Sequence, residues 1–104
     1  MASRADHFES LVARHPDNEL FRFSLAQALQ AEGRAGEALP HFEFCAAKKP
    51  DWMMPRILLG KILLSLDRRA EARAVLEAAL HLATEQQHDD PAAELRALLA
   101  DLPP

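Results

Sequence analysis

Cysteine is nearly missing from this chain. Cys45 stands alone, which excludes an intramolecular disulfide and points to a reducing compartment. Long apolar runs are missing as well. The longest, around Ile57 to Leu66, is interrupted by Gly60, Lys61 and Ser65 and is too short to cross a bilayer. Behind Arg4 the N-terminal Met1-Ala-Ser-Arg-Ala-Asp-His has no apolar segment, so no secretory signal is expected. By elimination the expected location is the cytoplasm, with no membrane partner. An excess of positive charge is also absent. The 16 acidic residues outnumber 12 Lys plus Arg, for a net charge of −4, which argues against a non-specific binder of nucleic acid or of anionic lipid. Each half, cut after Trp52, holds six basic and eight acidic residues, so there is neither a basic tail nor an acidic arm. No glycine-rich phosphate cradle occurs either. Gly33, Gly36 and Gly60 read as turn or helix-packing residues, and no cofactor is expected.

What remains is rich in Ala and Leu, with few runs of β-branched residues, and its apolar residues recur at three and four. That pattern predicts an all-α fold. A length of 104 residues with 49% hydrophobic content fits one compact domain with a modest core. Ser3-Arg-Ala-Asp has capping-box spacing, and Phe8, Leu11 and Val12 follow on one stripe until His15-Pro16, giving an opening helix over about 3–15. Asp17 and Asn18 are candidate caps for a second helix marked by Leu25, Ala26 and Leu29, with Gly33 as its exit. Gly36 should separate it from a third helix carrying Ala38, Phe42, Cys45 and Ala46. Pro40 is expected among that helix's first four residues, where a missing donor costs little. Asp51 is the candidate cap of a fourth helix with Pro55 in its first turn and Leu59, Gly60 and Leu63 on one face. Asp67 is the candidate cap of a fifth, over about 70–86. Asp89-Asp90-Pro91 should open a sixth with Leu95, Leu98, Leu99 and Leu102.

A fixed offset overlies this periodicity. Pro16-Asp17 recurs as Pro50-Asp51, 34 residues on, and the same offset pairs Phe8 with Phe42, Phe42 with Leu76, Leu25 with Leu59, Leu29 with Leu63, Ala38 with Ala72, and Leu11 with Cys45 and Ala79. Large residues fall on large ones and small on small. A two-helix unit cannot cover its own apolar face, whereas stacked units bury a continuous seam.

At these residues the chain resembles the tetratricopeptide repeat (TPR) family. The matches are Leu25, Ala26, Leu29, Ala38, Phe42, Cys45 and Pro50 in a unit over about 19–52, and Leu59, Gly60, Leu63, Ala72, Leu76 and Ala79 in a unit over about 53–86. Arg22 and Arg56 depart from the family's usual Trp, Leu29 and Leu63 from its Tyr, and Thr84 from its closing Pro. The resemblance implies a TPR-like α-α superhelix, a right-handed solenoid of antiparallel helix pairs. The whole chain, 1–104, would be a single domain of about six helices, with a C-terminal capping helix over about 91–102.

The resemblance also places partner segments on a concave face lined by the inner helices. Here that face should comprise Leu20, Phe23, Gln27 and Gln30 from the first unit and Met54, Ile57, Leu58, Lys61 and Leu64 from the second. Water-exposed Phe23, Met54, Ile57 and Leu64 would form an apolar patch of the kind that marks an interaction surface. A neighbouring helix of the same chain covering them is the blander alternative. The Lys and Asn set with which some family members grip a C-terminal carboxylate is missing: Phe23, Gln27 and Leu58 stand at three of its positions. An amphipathic helix or apolar peptide is therefore a better expected partner than an acidic tail. A homodimer seam is the alternative.

Catalysis and metal binding have thin support. His41 and Cys45 lie four apart, but two ligands do not make a structural zinc site, and Cys45 falls on a small-residue core position of the repeat. His88-Asp89-Asp90 is explained by helix capping ahead of Pro91. Lys48, Lys49, Trp52 and Arg56 suggest an RNA contact that the acidic total disfavours. The expectation is a non-catalytic interaction module with no metal.

Overall fold

A computed structural model describes residues 3–102. Among these it contains six α-helices and no strand: α1 (Arg4–Arg14), α2 (Glu19–Ala31), α3 (Ala35–Lys48), α4 (Met53–Ser65), α5 (Arg69–Glu85) and α6 (Asp89–Ala100). The all-α expectation holds. No helix among the described residues is long and apolar enough to cross a membrane. The chain divides after Pro50 into two compact units, and each is described by itself.

In the first unit, α2 packs against both α1 and α3. The Ser3 capping box forms: its hydroxyl accepts from the Asp6 amide, and the Asp6 carboxylate accepts from the Ser3 amide. Asn18 caps α2 by accepting from the Phe21 amide at 2.9 Å. The core holds Ala5, Leu25, Ala26, Ala28, Leu29, Ala38, Leu39, Phe42 and Cys45, all buried. Small residues at 26, 28 and 38 let the helices close on Phe42, the largest fully buried side chain.

The second unit packs α5 against α4 and α6. Met53, Ile57, Leu76, Ala79, Ala83, Ala92 and Leu95 form its buried cluster, with Leu64, Leu80, Leu82, Leu98, Leu99 and Leu102 around it. Gly60 lets α5 come close: a Cβ there would stand 2.4 Å from Cδ2 of Leu76.

Three helix ends share one turn. Arg34, Arg68 and His88 donate their amides to the carbonyls of Leu29, Leu63 and Ala83, at 2.9, 2.9 and 2.8 Å. The residue before each has positive φ: Gly33 at 77°, Asp67 at 58° and Gln87 at 60°. This is the six-to-one closure that satisfies the last carbonyls of a helix. Three expected caps are also corrected, two of them by this turn. Asp67 is consumed by the turn that ends α4, so α5 starts after Arg68, with no side-chain cap bond. Trp52, not Asp51, is the N-cap residue of α4. Asp89 and Asp90 lie inside the first turn of α6, with His88 as its N-cap residue, where they favour the positive helix end without capping it. Gly36 is likewise not a separator but the second residue of α3. Pro40 is consequently the sixth, not among the first four, and the Gly36 carbonyl loses its usual donor. Both residues are exposed, so water reaches that carbonyl.

Candidate functional site

On α2 the predicted residues Leu20, Phe23, Gln27 and Gln30 recur at three and four, which puts them on one helical stripe. Leu20 is 62% exposed and Gln27 is exposed, while Phe23 and Gln30 are half-buried. Phe23 is anchored edge-on against Phe42, ring centroids 5.7 Å apart at 72°, so its ring is partly spent on the core. Gln27 also lines a crevice of about 410 Å³ with Ser3, Arg4, Ala28, Ala31 and Glu32. There the Glu32 carboxylate accepts from the Ala5 amide at 3.3 Å, tying the free start of α1 to the end of α2.

On α4 the structure separates the five predicted residues. Met54 is 42% exposed, and Leu58 and Lys61 are half-buried. The Lys61 ammonium pairs with Glu94 of α6. Ile57, by contrast, is only 6% exposed and belongs to the cluster with Ala92 and Leu95. Leu64 packs against the same cluster. The expectation of a water-exposed Ile57 is therefore corrected; Leu64 is half-buried with one side on the cluster that α6 completes, like Leu58 and Lys61 in exposure, and Met54 is the exposed residue of this stripe. Leu66, 39% exposed at the end of α4, escaped the sequence reading because it falls outside the repeat's inner-face register.

The groups that invited a chemical reading are accounted for by packing. Cys45 is fully buried, its S–H donates to the Glu19 carbonyl at 3.3 Å, and burial pushes its thiol up to about 11. So little thiolate forms at neutral pH that it makes a poor nucleophile or metal ligand. His41 has a buried Nδ1 with no hydrogen-bond partner. Its pKa is lowered by burial first and by Arg22 second, against an upward pull from Glu9. Among the described residues no group of three or more His, Cys, Asp or Glu could hold a metal ion.

Among the basic residues singled out in the sequence, Lys48 and Lys49 are occupied, whereas the buried Arg56 Nε has no hydrogen-bond partner. Lys48 and Lys49 both pair with Glu19, at 3.3 and 3.7 Å. The Glu19 carboxyl sits below its ordinary range, chiefly through its own backbone amide and then through Lys48. The Arg22 guanidinium stacks 4.3 Å from the Phe44 ring centre, a cation–π contact that spends the cation at the family's usual Trp position. Sequence spacing gave no signal for it, since residues 22 and 44 lie on different helices. Arg34 gathers Glu37, Glu9 and Glu32, at 2.7, 3.7 and 3.8 Å. In the second unit Arg68 and Glu71 repeat the Arg34–Glu37 pair at the same 2.7 Å.

No protein-family model and no curated protein matches the sequence. Solved structures do match. The type III secretion translocator chaperone SycD of Yersinia enterocolitica aligns with a TM-score of 0.85 at 18% identity, over 92% of this chain and 67% of that one. PcrH, in complex with the chaperone binding region of PopD, aligns with a TM-score of 0.84 at 21% identity, over 92% of this chain and 73% of that one. A tetratricopeptide repeat domain protein from Salinibacter ruber aligns with a TM-score of 0.73 at 27% identity, over 82% and 86%. Six helices, some closed by a recurring turn, and the match to these structures give the chain a tetratricopeptide-repeat-like all-α fold.

Proposed function

We propose that this chain is a non-catalytic protein-interaction module, in which α2–α3 and α4–α5 are the two repeat units and α1 and α6 flank them. Each inner-helix stripe, Leu20, Phe23, Gln27 and Gln30 on α2 of the first unit and Met54, Leu58 and Lys61 on α4 of the second, is a surface suited to a peptide or helix of a partner protein. Ile57 and Leu64 act from beneath by holding α4 in place. The observation that carries the reading is Leu20: a leucine 62% exposed on an inner-helix face, in line with polar but uncharged Gln27 and Gln30. Such a stripe gains more from covering an apolar segment than from an acidic tail. The structure of PcrH with a segment of PopD supports the same use of a fold this similar.

The test is site-specific photocrosslinking in native extract, with the crosslinker at position 20 and, as control, at the exposed Glu43 of α3. Adducts to a different protein from position 20 alone are expected, and their loss when Met54→Glu is added would extend the site to α4. Equal labelling from both positions would refute the reading. Adducts consisting only of a second copy would replace it with the homodimer alternative.

A further inference from the structure

The 34-residue offset makes α3 a template for α1. In α3, Phe42 is fully buried against Phe23 of α2, Cys45 donates to the Glu19 carbonyl, and Lys48 and Lys49 clamp the Glu19 carboxylate in the first turn of α2. Their equivalents in α1 and just after it are Phe8, Leu11, Arg14 and His15. The pattern of side chains is kept while the cover is not. Phe8 and Leu11 are half-buried where Phe42 and Cys45 are sealed. Phe8 is flanked by His7, with ring centroids 5.3 Å apart, and by the Arg4 guanidinium at 5.8 Å. Arg14 is exposed and has no ion-pair partner among the described residues. His15 leans on Phe21, with centroids 5.6 Å apart. In the second unit the equivalent positions hold Leu82 and Ala83, so the basic pair is not a general feature of the repeat. α1 is thus an outer helix whose partner-facing side is only half-buried among the described residues.

We propose that the Phe8–Leu11–Arg14 face of α1 docks an amphipathic helix of a partner protein whose chemistry copies α2: an acidic residue in the first turn, matched to Arg14, and a bulky apolar residue four positions later, matched to Phe8. Both halves of the match come from the chain's own α2–α3 pair, where Glu19 meets the two lysines and Phe23 meets Phe42. None of Phe8, Leu11 and Arg14 belongs to the inner-helix stripes, and neither proposal depends on the other.

The experiment uses the full chain and a fluorescein-labelled synthetic peptide of residues 17–33, with binding read by anisotropy and checked at two salt concentrations. Saturable binding is expected. Glu19→Lys in the peptide, or Arg14→Glu in the protein, should weaken it by about fivefold, in line with an exposed charge pair turned repulsive. Combining the two should recover most of the loss. Recovery requires a folded protein, so it distinguishes lost contact from lost structure. Circular dichroism of Arg14→Glu, a change at an exposed position, gives a second check. Absence of saturable binding overturns the proposal, as does a peptide Glu19→Lys effect that Arg14→Glu leaves untouched. A dimer of the unliganded chain that Arg14→Glu dissociates would make the occupant a second copy and would overturn it too.

Discussion

The helix pairs α2–α3 and α4–α5 run on one 34-residue frame and fill it differently. In the first, the outer helix sends Phe42 inward and the inner helix answers with the edge of Phe23. In the second, Leu76 takes the place of Phe42 and settles on bare Gly60. One pair fills its seam with rings. The other closes it by removing a side chain. The frame therefore fixes where volume must be found but leaves open which helix supplies it.

Truncating the ring-filled seam should have the largest effect. Phe42→Ala leaves Phe23 without its partner and opens a cavity, and about 3–5 kcal/mol of stability should be lost in urea unfolding. Leu76→Ala should cost about 2–5 kcal/mol and, unlike Phe42→Ala, should partly rescue a side chain at position 60. Gly60→Ala alone forces the buried Leu76 aside and should cost about 1–3 kcal/mol. The rescue is the sharp part. If the double variant Gly60→Ala with Leu76→Ala merely adds the two losses, the close approach of α4 and α5 is not what makes glycine necessary at 60.

A smaller effect separates the turns. Gly33 and Asp67 occupy equivalent left-handed positions, at φ 77° and 58°, yet only glycine is free of a Cβ penalty there. Gly33→Asp should destabilise by about 1 kcal/mol, and Asp67→Gly should stabilise by about 0.5–1 kcal/mol even though it removes the exposed contact with Arg69. Thermal unfolding of the two variants side by side would settle the sign.

These contrasts explain what the sequence made legible. Helix existence and the all-α fold could be read because Phe42, Leu76, Leu25 and Leu59 keep large apolar volume at fixed spacing, a signal that survives substitution. Helix starts were read less well. Asp67 and Asp89 are good capping residues by type, but the turn closing the previous helix decides which residue stands first, and at Asp67 that turn takes the residue itself. Spacing alone puts Leu20, Phe23, Gln27 and Gln30 along one side of α2. On α4 it could not tell exposed from buried, because Ile57 satisfies the same spacing as Met54 and Leu58. Only the packing of Ala92 and Leu95 beside Ile57 tells the covered residues from the open ones, and that is a tertiary fact absent from any local pattern.

The pH dependence should distinguish the two pairs by the smallest margin. His41 and Cys45 of α3 correspond to Val75 and Ala79 of α5, so this frame position titrates in one pair only. Burial, then Arg22, lowers His41 below its ordinary 6.5. The neutral ring is thus the folded form, and its contribution is present above pH 6.5 and lost as pH falls below it. Burial raises the Cys45 thiol from 9.0 to about 11. Its contribution is present below pH 9.0 and disappears as pH rises toward 11. Carboxylates such as Glu19 and Glu37, lowered from 4.5, add their own acid loss only below about pH 5, which leaves a window between there and 6.5 for the histidine. His41→Val combined with Cys45→Ala copies the second pair into the first. Urea midpoints of this variant should be flatter than those of the parent both between about pH 5 and 6.5 and above pH 9. Parallel curves would mean that the buried Nδ1 finds an acceptor on protonation, and that the two pairs differ in shape alone.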